Sequence, residues 1–344
     1  MRKLYLTIGI FILLSAVSST LFSQEDNNRI LIAVHGWPGY GRNDEDARID
    51  MFVWMHDIIR RGSGHNKKDS YAFDYRDAFL SSFVTSIRAK AAAKLAKEII
   101  ALKRQGKQVD ILAHSQGTHI TMAATLLVEY LRDRRNGRKL DPNAASLWNT
   151  LDKNTQKDLE MAVDALDANG EVKLIDKVIT AGTPVGYDFS GVEVLAKNAI
   201  AFFNIVGRYD PVNKVSAYRG TQGPIFFYRT LIKDRWPGFF LSDKVKNIST
   251  VSDHSYTHPI IRQFMAELLS PGGLTLETAV AFFLFSNPEW TEAEAIEAFE
   301  ELKRTGKFPP PPPPTPPSAG ALTNLSNIEL ISIGSKSITC ILDH

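Results

Sequence analysis

Short, continuous apolar runs alternate along this chain with longer segments in which apolar residues recur every three or four positions. The runs fall at 30–34, 71–75, 109–113, 174–180, 199–206 and 248–252; the helical patterns fall at 47–60, 86–103, 118–131 and 259–269. Strands that are apolar throughout, separated by amphipathic helices, predict a mostly parallel, doubly wound α/β sheet covered on both faces. In such a sheet, ligands bind at loops leaving the carboxyl ends of the strands.

Several of those loops carry chemistry. The run at 109–113 ends in Ala113-His114-Ser115-Gln116-Gly117 and leads straight into a helical pattern. A sharp strand-to-helix turn lifts a serine above a sheet, provided that the residues two before and two after it are small. Ala113 and Gly117 meet that need. The run at 30–34 ends in His35-Gly36-Trp37-Pro38-Gly39, a turn able to aim a backbone N–H at a reacting carbonyl. The run at 199–206 leads to Gly207-Arg208-Tyr209-Asp210, and that at 248–252 to Asp253-His254-Ser255-Tyr256-Thr257-His258. A serine hydroxyl needs a base to become nucleophilic, and the base needs a carboxylate to hold its tautomer. A plain helix N-cap is the alternative role for Ser115, and a solvated turn residue that for Asp210.

Taken in order, oxyanion turn, serine, acid and histidine, these loops resemble those of the α/β-hydrolase family, in particular its lipase and esterase branch with a His-Gly-x turn. The elbow has Ala113 where glycine is usual, a variant also found among small secreted bacterial lipases. Val178-Ile179-Thr180-Ala181-Gly182-Thr183-Pro184 is similar to the strand and Gly-Thr-Pro turn that follow the nucleophile helix in lipases. Asp253-His254-Ser255-Tyr256 is similar to their histidine loop, with Tyr256 packing behind the ring. The likeness runs from about 30 to 269.

The resemblance implies Ser115 as nucleophile, Asp210 as acid with Asp188 in reserve, and the backbone N–H groups of Gln116 and Trp37 as the oxyanion hole. His35, Gly36 and Gly117 support these turns. Of eight histidines, at 35, 56, 65, 114, 119, 254, 258 and 344, only the last three follow the acid as this chain order requires. His254 comes directly off the strand and is the expected base, with His258 as the alternative. Beside the serine, His114 is expected to point away from it. Asp253, His254 and His258 could instead ligate a metal, but they lack a firm helical frame. The expected activity is hydrolysis of carboxylic esters, plausibly lipid esters, with no cofactor and no metal. An acyltransferase or amidase on the same residues, or a binding protein that kept the fold and lost turnover, are the alternatives.

The remaining features bound this picture. At 344 residues, 44% apolar and 23% charged, the chain can bury a large core. Residues 1–23 carry Arg2 and Lys3, then an apolar stretch at 4–17, then small or polar residues, as a secretory signal cleaved near Ser23 would. A secreted or periplasmic address follows. Without Arg2 and Lys3, basic and acidic residues balance at 38 each, so nothing suggests a nucleic-acid partner; a small-molecule or lipid ester and a transient contact with a lipid surface fit better. A lone cysteine, Cys340, excludes an intrachain disulfide.

The catalytic domain is expected over 24–270, with 132–172, which is polar and has a helical pattern at 145–166, as a cap or lid insertion. Segment 213–247 is dense in aromatic residues, among them Tyr218, Phe226, Phe227, Tyr228, Trp236, Phe239 and Phe240, suited to a pocket or to ordinary packing. A C-terminal helical extension at 271–308 has an apolar helix at 274–285 and a second helix opened by a Thr291–Glu294 capping box and stopped at Gly306. Residues 309–317 form a polyproline spacer, and 318–344 a short tail with a hairpin pattern around Gly334.

Overall fold

The computed structural model describes residues 26–36, 42–76, 84–183, 190–210, 215–216, 227–228, 239–240 and 242–309. The chain divides into two compact units, Met1–Pro311 and Pro312–His344. The expected signal segment, the polyproline run beyond Pro309 and the tail lie outside the described residues.

Six parallel strands form the frame: β1 (Arg29–Val34), β2 (Tyr71–Ala72), β3 (Gln108–His114), β4 (Ile175–Ala181), β5 (Ala199–Gly207) and β8 (Val245–Thr250), in the order β2-β1-β3-β4-β5-β8. Two short segments, β6 (Val215–Ser216) and β7 (Phe227–Tyr228), pair with each other, antiparallel. The strands alternate their side chains between two apolar layers, as the period of two requires. Ile30, Ile32 and Val34 enter one layer, and Leu31 and Ala33 the other. Register aligns Ile32 with Ile111 and Val34 with Ala113 on β3, so both layers run unbroken across the strands.

One layer is closed by α2 (Thr85–Arg104), α3 (Gly117–Arg135), α4 (Pro142–Asn149), α5 (Lys153–Leu166) and α6 (Ser190–Asn198). The other is closed by α1 (Asp44–Arg60), α7 (Pro259–Leu269), α8 (Leu276–Ser286) and α9 (Glu292–Thr305). Local signals set these helices. Asn43 and Asp46 form a capping box at α1, and Pro259 fits the first turn of α7, where no backbone donor is needed. The Thr291–Glu294 box opens α9, and Gly306 ends it at φ 70°, as the pattern predicts.

Segment 132–172, expected as a cap or lid, contributes side chains to the buried core. It folds as two helices, broken at Thr150–Asp152, whose Leu147, Trp148, Leu159 and Val163 belong to the buried core. Its partners lie on the second half of α3. Trp148 packs on Tyr130 with ring centroids 5.5 Å apart, and Arg132 donates to both Asp167 oxygens at 2.7 and 2.8 Å. Tyr130 lies 15 residues beyond Ser115, about 22 Å along a helix at 1.5 Å per residue. Overall polarity misleads because α5 has a charged outer face, while Gln156, Leu159 and Val163 form a narrow buried stripe.

The C-terminal extension is likewise structural cover. Phe282 of α8 stacks on Phe264 of α7 with centroids 3.7 Å apart. Helix α6 has no counterpart in the sequence pattern. The strand expected at 248–252 begins three residues earlier and ends at Thr250, which lengthens the loop that carries His254.

At the amino ends of the strands, far from the candidate site, Asp110 is fully buried. It accepts from Arg29 Nη2 at 2.5 Å, His65 Nε2 at 2.8 Å and the Lys177 backbone N–H at 2.7 Å. Ser63 Oγ lies 2.9 Å from His65 Nδ1. Although this is a Ser-His-Asp relay, all three members are fully buried and Arg29 already neutralises the acid, so it braces the sheet.

If 132–172 is core, removing a buried side chain there must cost global stability. Leu159→Ala is expected to lower the unfolding free energy by about 3 kcal/mol in urea titrations, as deleting a fully buried leucine does. A loss below about 1 kcal/mol would mark the segment as a detachable flap.

Candidate active site

The sheet reverses its strand order between β1 and β3: β1 continues to β2 on one side, and β3 to β4 on the other. Such a switch point opens a crevice at the carboxyl ends of the strands. His35 and Gly36 leave β1 on one side of it, and Ser115 leaves β3 on the other.

Ser115 has φ 50°, a left-handed backbone that a serine adopts only when its surroundings force it. Three contacts do so. Its N–H donates to the Ala181 carbonyl at 2.8 Å, holding the turn to the end of β4. A Cβ at Gly36 would lie 2.6 Å from Ser115 Cβ, and one at Gly117 would lie 2.2 Å from the Val34 carbonyl oxygen. Only hydrogen fits at either place. The Gln116 N–H, at the head of α3, makes no hydrogen bond among the described residues and lies 3.1 Å from the Cβ position of Gly36. No described residue thus competes for this donor beside the serine.

Asp210 and His254 meet at the same edge. Asp210 follows β5, is fully buried, and accepts from His254 Nδ1 at 2.9 Å. That bond puts the proton on Nδ1 and leaves Nε2 with its lone pair. The acid turn and the histidine loop are held together by backbone bonds, Arg208 N–H to the Thr250 carbonyl at 2.8 Å and Tyr209 N–H to the Ser252 carbonyl at 3.1 Å. Gly182, φ 63°, covers the pair; a Cβ there would sit 2.8 Å from His254 Nδ1 and 2.9 Å from Asp210 Oδ2. Because Gly182 follows the residue that holds the Ser115 N–H, the imidazole and the serine share one wall. Ser115 Oγ is not hydrogen-bonded to His254 among the described residues, a common state of a serine–histidine pair with no substrate bound.

The other expected residues sort as follows. His35 is buried, donates from Nδ1 to the Gly36 carbonyl at 2.9 Å and stacks on Tyr75, so it does brace its turn. His258 is the N-cap of α7, accepting from the Ile260 N–H at 3.3 Å and stacking on Phe285 with centroids 4.1 Å apart. That occupation removes it from Asp210. Among the described residues no group of three or more His, Cys, Asp or Glu side chains is placed to hold a metal ion. Trp37, Asp188 and the aromatic residues Tyr218, Phe226 and Trp236 lie outside the described residues. Phe240 is described and packs on Phe202 in the core, centroids 5.5 Å apart.

Two roles were not legible in the motif. His114 turns toward the histidine loop. Its ring lies 4.5 Å from that of His254, and its Nε2–H donates to the His254 backbone carbonyl at 2.8 Å. Removal from water, and secondarily the neighbouring His254 imidazole, push His114 down to about 3. Tyr256 lies against His114 and Trp54, and its hydroxyl reaches Asp210. A single alternation of residue types carries no signal for either contact.

No protein-family model matches the chain, and no curated protein sequence matches it. Among the described residues no helix is long and apolar enough to cross a membrane.

Burial lowers the pKa of His35, His65 and His114 alike, in each case as the largest cause. In the unfolded chain these side chains take up a proton near 6.5, whereas the folded protein resists it. Stability is therefore complete above about pH 6.5 and falls as the pH drops below it, by up to about 1.4 kcal/mol per pH unit for each histidine. Thermal melts between pH 8 and 5 should show a plateau and then a steep decline starting above the carboxylate range. A melting temperature constant down to pH 5 would contradict the assigned burial.

Proposed function

We propose that this protein is a serine hydrolase of the α/β-hydrolase type that cleaves carboxylic esters by an acyl-enzyme route, exported from the cytoplasm by its first 23 residues. One observation carries the reading: a serine forced to φ 50° at a strand-to-helix turn shares a sheet edge with a buried carboxylate bonded at 2.9 Å to an imidazole. Strained backbone of this kind persists where the structure over-determines it, and it clusters at sites of chemistry.

In this mechanism Ser115 Oγ attacks the ester carbonyl carbon while its proton passes to His254 Nε2. Asp210 holds Nδ1–H, so the ring presents the correct nitrogen and its positive form is stabilised. Negative charge on the carbonyl oxygen is met by the Gln116 N–H, with the Trp37 N–H as the proposed second donor. The imidazolium then protonates the departing alcohol. Water, giving its proton to the same nitrogen, attacks the acyl-serine, and the acid leaves as Ser115 recovers its proton. No cofactor enters these steps. The substrate class, carboxylic esters including lipid esters, rests on the resemblance of these loops to those of lipases and esterases.

A panel of nitrophenyl esters of graded chain length tests the reading and separates it from a binding protein without turnover. Hydrolysis of at least one ester is expected. His254→Ala should lower kcat by at least about a thousandfold, because only the oxyanion donors and binding remain. His258→Ala, which removes a cap, should change kcat by less than about threefold. A dead His258→Ala with an active His254→Ala would reassign the base; no hydrolysis by folded protein of any ester would remove the hydrolase.

A further inference from the structure

The histidine loop supplies more than the base. Tyr256 is fully buried and has φ 49°; with Ser115 it is one of only two non-glycine residues of positive φ among the described residues. An aromatic side chain gains nothing locally from that backbone. What the turn accomplishes is to bring two side chains of one loop to one oxygen. His254 Nδ1 donates to Asp210 Oδ2 at 2.9 Å, and the Tyr256 hydroxyl reaches the same Oδ2 at 3.1 Å.

The direction of the second bond is fixed by a third. The Gly207 N–H donates to the Tyr256 hydroxyl oxygen at 2.8 Å, so that oxygen is already serving as acceptor. Its proton is thus directed to the carboxylate. The chain Gly207 N–H, Tyr256 O–H, Asp210 begins and ends within four residues of the acid turn, and Asp210 itself is sealed from water. Gly182 closes the side facing β4. Among the described residues, the titratable groups beside the pair include His114, at the end of β3, and Asp253, on the histidine loop, whose carboxylate accepts from the Ser255 N–H and hydroxyl.

We propose that Tyr256 is a positioning residue of the reaction: its hydroxyl fixes the Asp210 carboxylate and shares Oδ2 with His254, setting both the orientation and the basicity of the imidazole. The proposal rests on the triad reading given above. A second donor on Oδ2 draws off charge that would otherwise stabilise the imidazolium, so the base stays neutral, and usable, to lower pH. It also stops the carboxylate from rotating away from Nδ1–H. A Tyr256 kept only for packing would do neither.

Two variants bracket the test. Tyr256→Phe removes the hydroxyl and keeps the ring; 3-fluorotyrosine placed at 256 keeps both bonds and makes the donor stronger. The titration of His254 is followed by nitrogen-edited NMR, and the pH dependence of kcat/KM on the best nitrophenyl ester is measured beside it. Tyr256→Phe should raise the His254 midpoint and the acid limb of the profile by about half a pH unit or more, and fluorotyrosine should lower both. Tyr256→Phe should also lower kcat by at least about tenfold with KM within about twofold, as loss of an interaction that orients the base requires. Unchanged midpoints in both variants would overturn the proposal. If Tyr256→Phe does not fold, the direction of the fluorotyrosine shift decides it. Wild-type protein that titrates as described but hydrolyses no ester would sink the hydrolase reading alone, since the NMR midpoints test Tyr256 without turnover.

Discussion

The left-handed backbone at Ser115 is the constraint on which the rest of the site depends. Holding a serine at φ 50° costs on the order of 1–3 kcal/mol, and that cost is met by neighbours that leave it no alternative. The Ala181 carbonyl fixes its N–H from β4, while β1 and the turn after it approach so closely that Gly36 and Gly117 can carry no side chain. Three adjacent strands thereby converge on one residue. A turn so over-determined can hold a hydroxyl and the Gln116 N–H still while charge moves between them, which is the basis of electrostatic preorganisation.

The same logic extends outward through the acid turn. Asp210 can be buried as a hydrogen-bond acceptor because His254 and Tyr256 both donate to it. Arg208, two residues before Asp210 on the same turn, donates to the Ser286 carbonyl and, at 2.8 Å, to Asn287 Oδ1 at the end of α8. Helix α8 is thus part of what locates the acid as well as cover for the sheet. On the opposite face the charge cluster around Arg132, with Glu129, Asp167 and Asn198 at 3.0 Å or less, fastens the ends of α5 and α6 to the far end of α3. The helix that begins at the elbow is anchored at both ends.

Most of the frame was legible in the sequence because it depends on short-range periodicity. Continuous apolar runs identified all six parallel strands, and the capping chemistry of Thr291, Glu294 and Gly306 located α9. The elbow was legible too, since the demand for small residues around Ser115 falls on positions two apart in sequence. What could not be read was whatever depends on which elements meet in space. The polarity of 132–172 suggested a cap, because a narrow buried stripe in a charged helix looks like a solvated helix until the partner surface on α3 is known. His114 and Tyr256 looked like local packing because their partners, the His254 carbonyl and Asp210, lie 140 and 46 residues away. The strand before His254 was misplaced by three residues because Ser249 to Ser252 continue a strand-like pattern past the point where pairing with β5 stops.

The central claim is that Ser115 is an activated nucleophile, and covalent labelling measures this most directly. Only a hydroxyl with a base beside it and donors facing the developing oxyanion reacts quickly with a fluorophosphonate. Peptide mass spectrometry of the folded protein after brief exposure should show one adduct per chain, on Ser115. An adduct on another serine, or none in protein shown to be folded, would contradict the account.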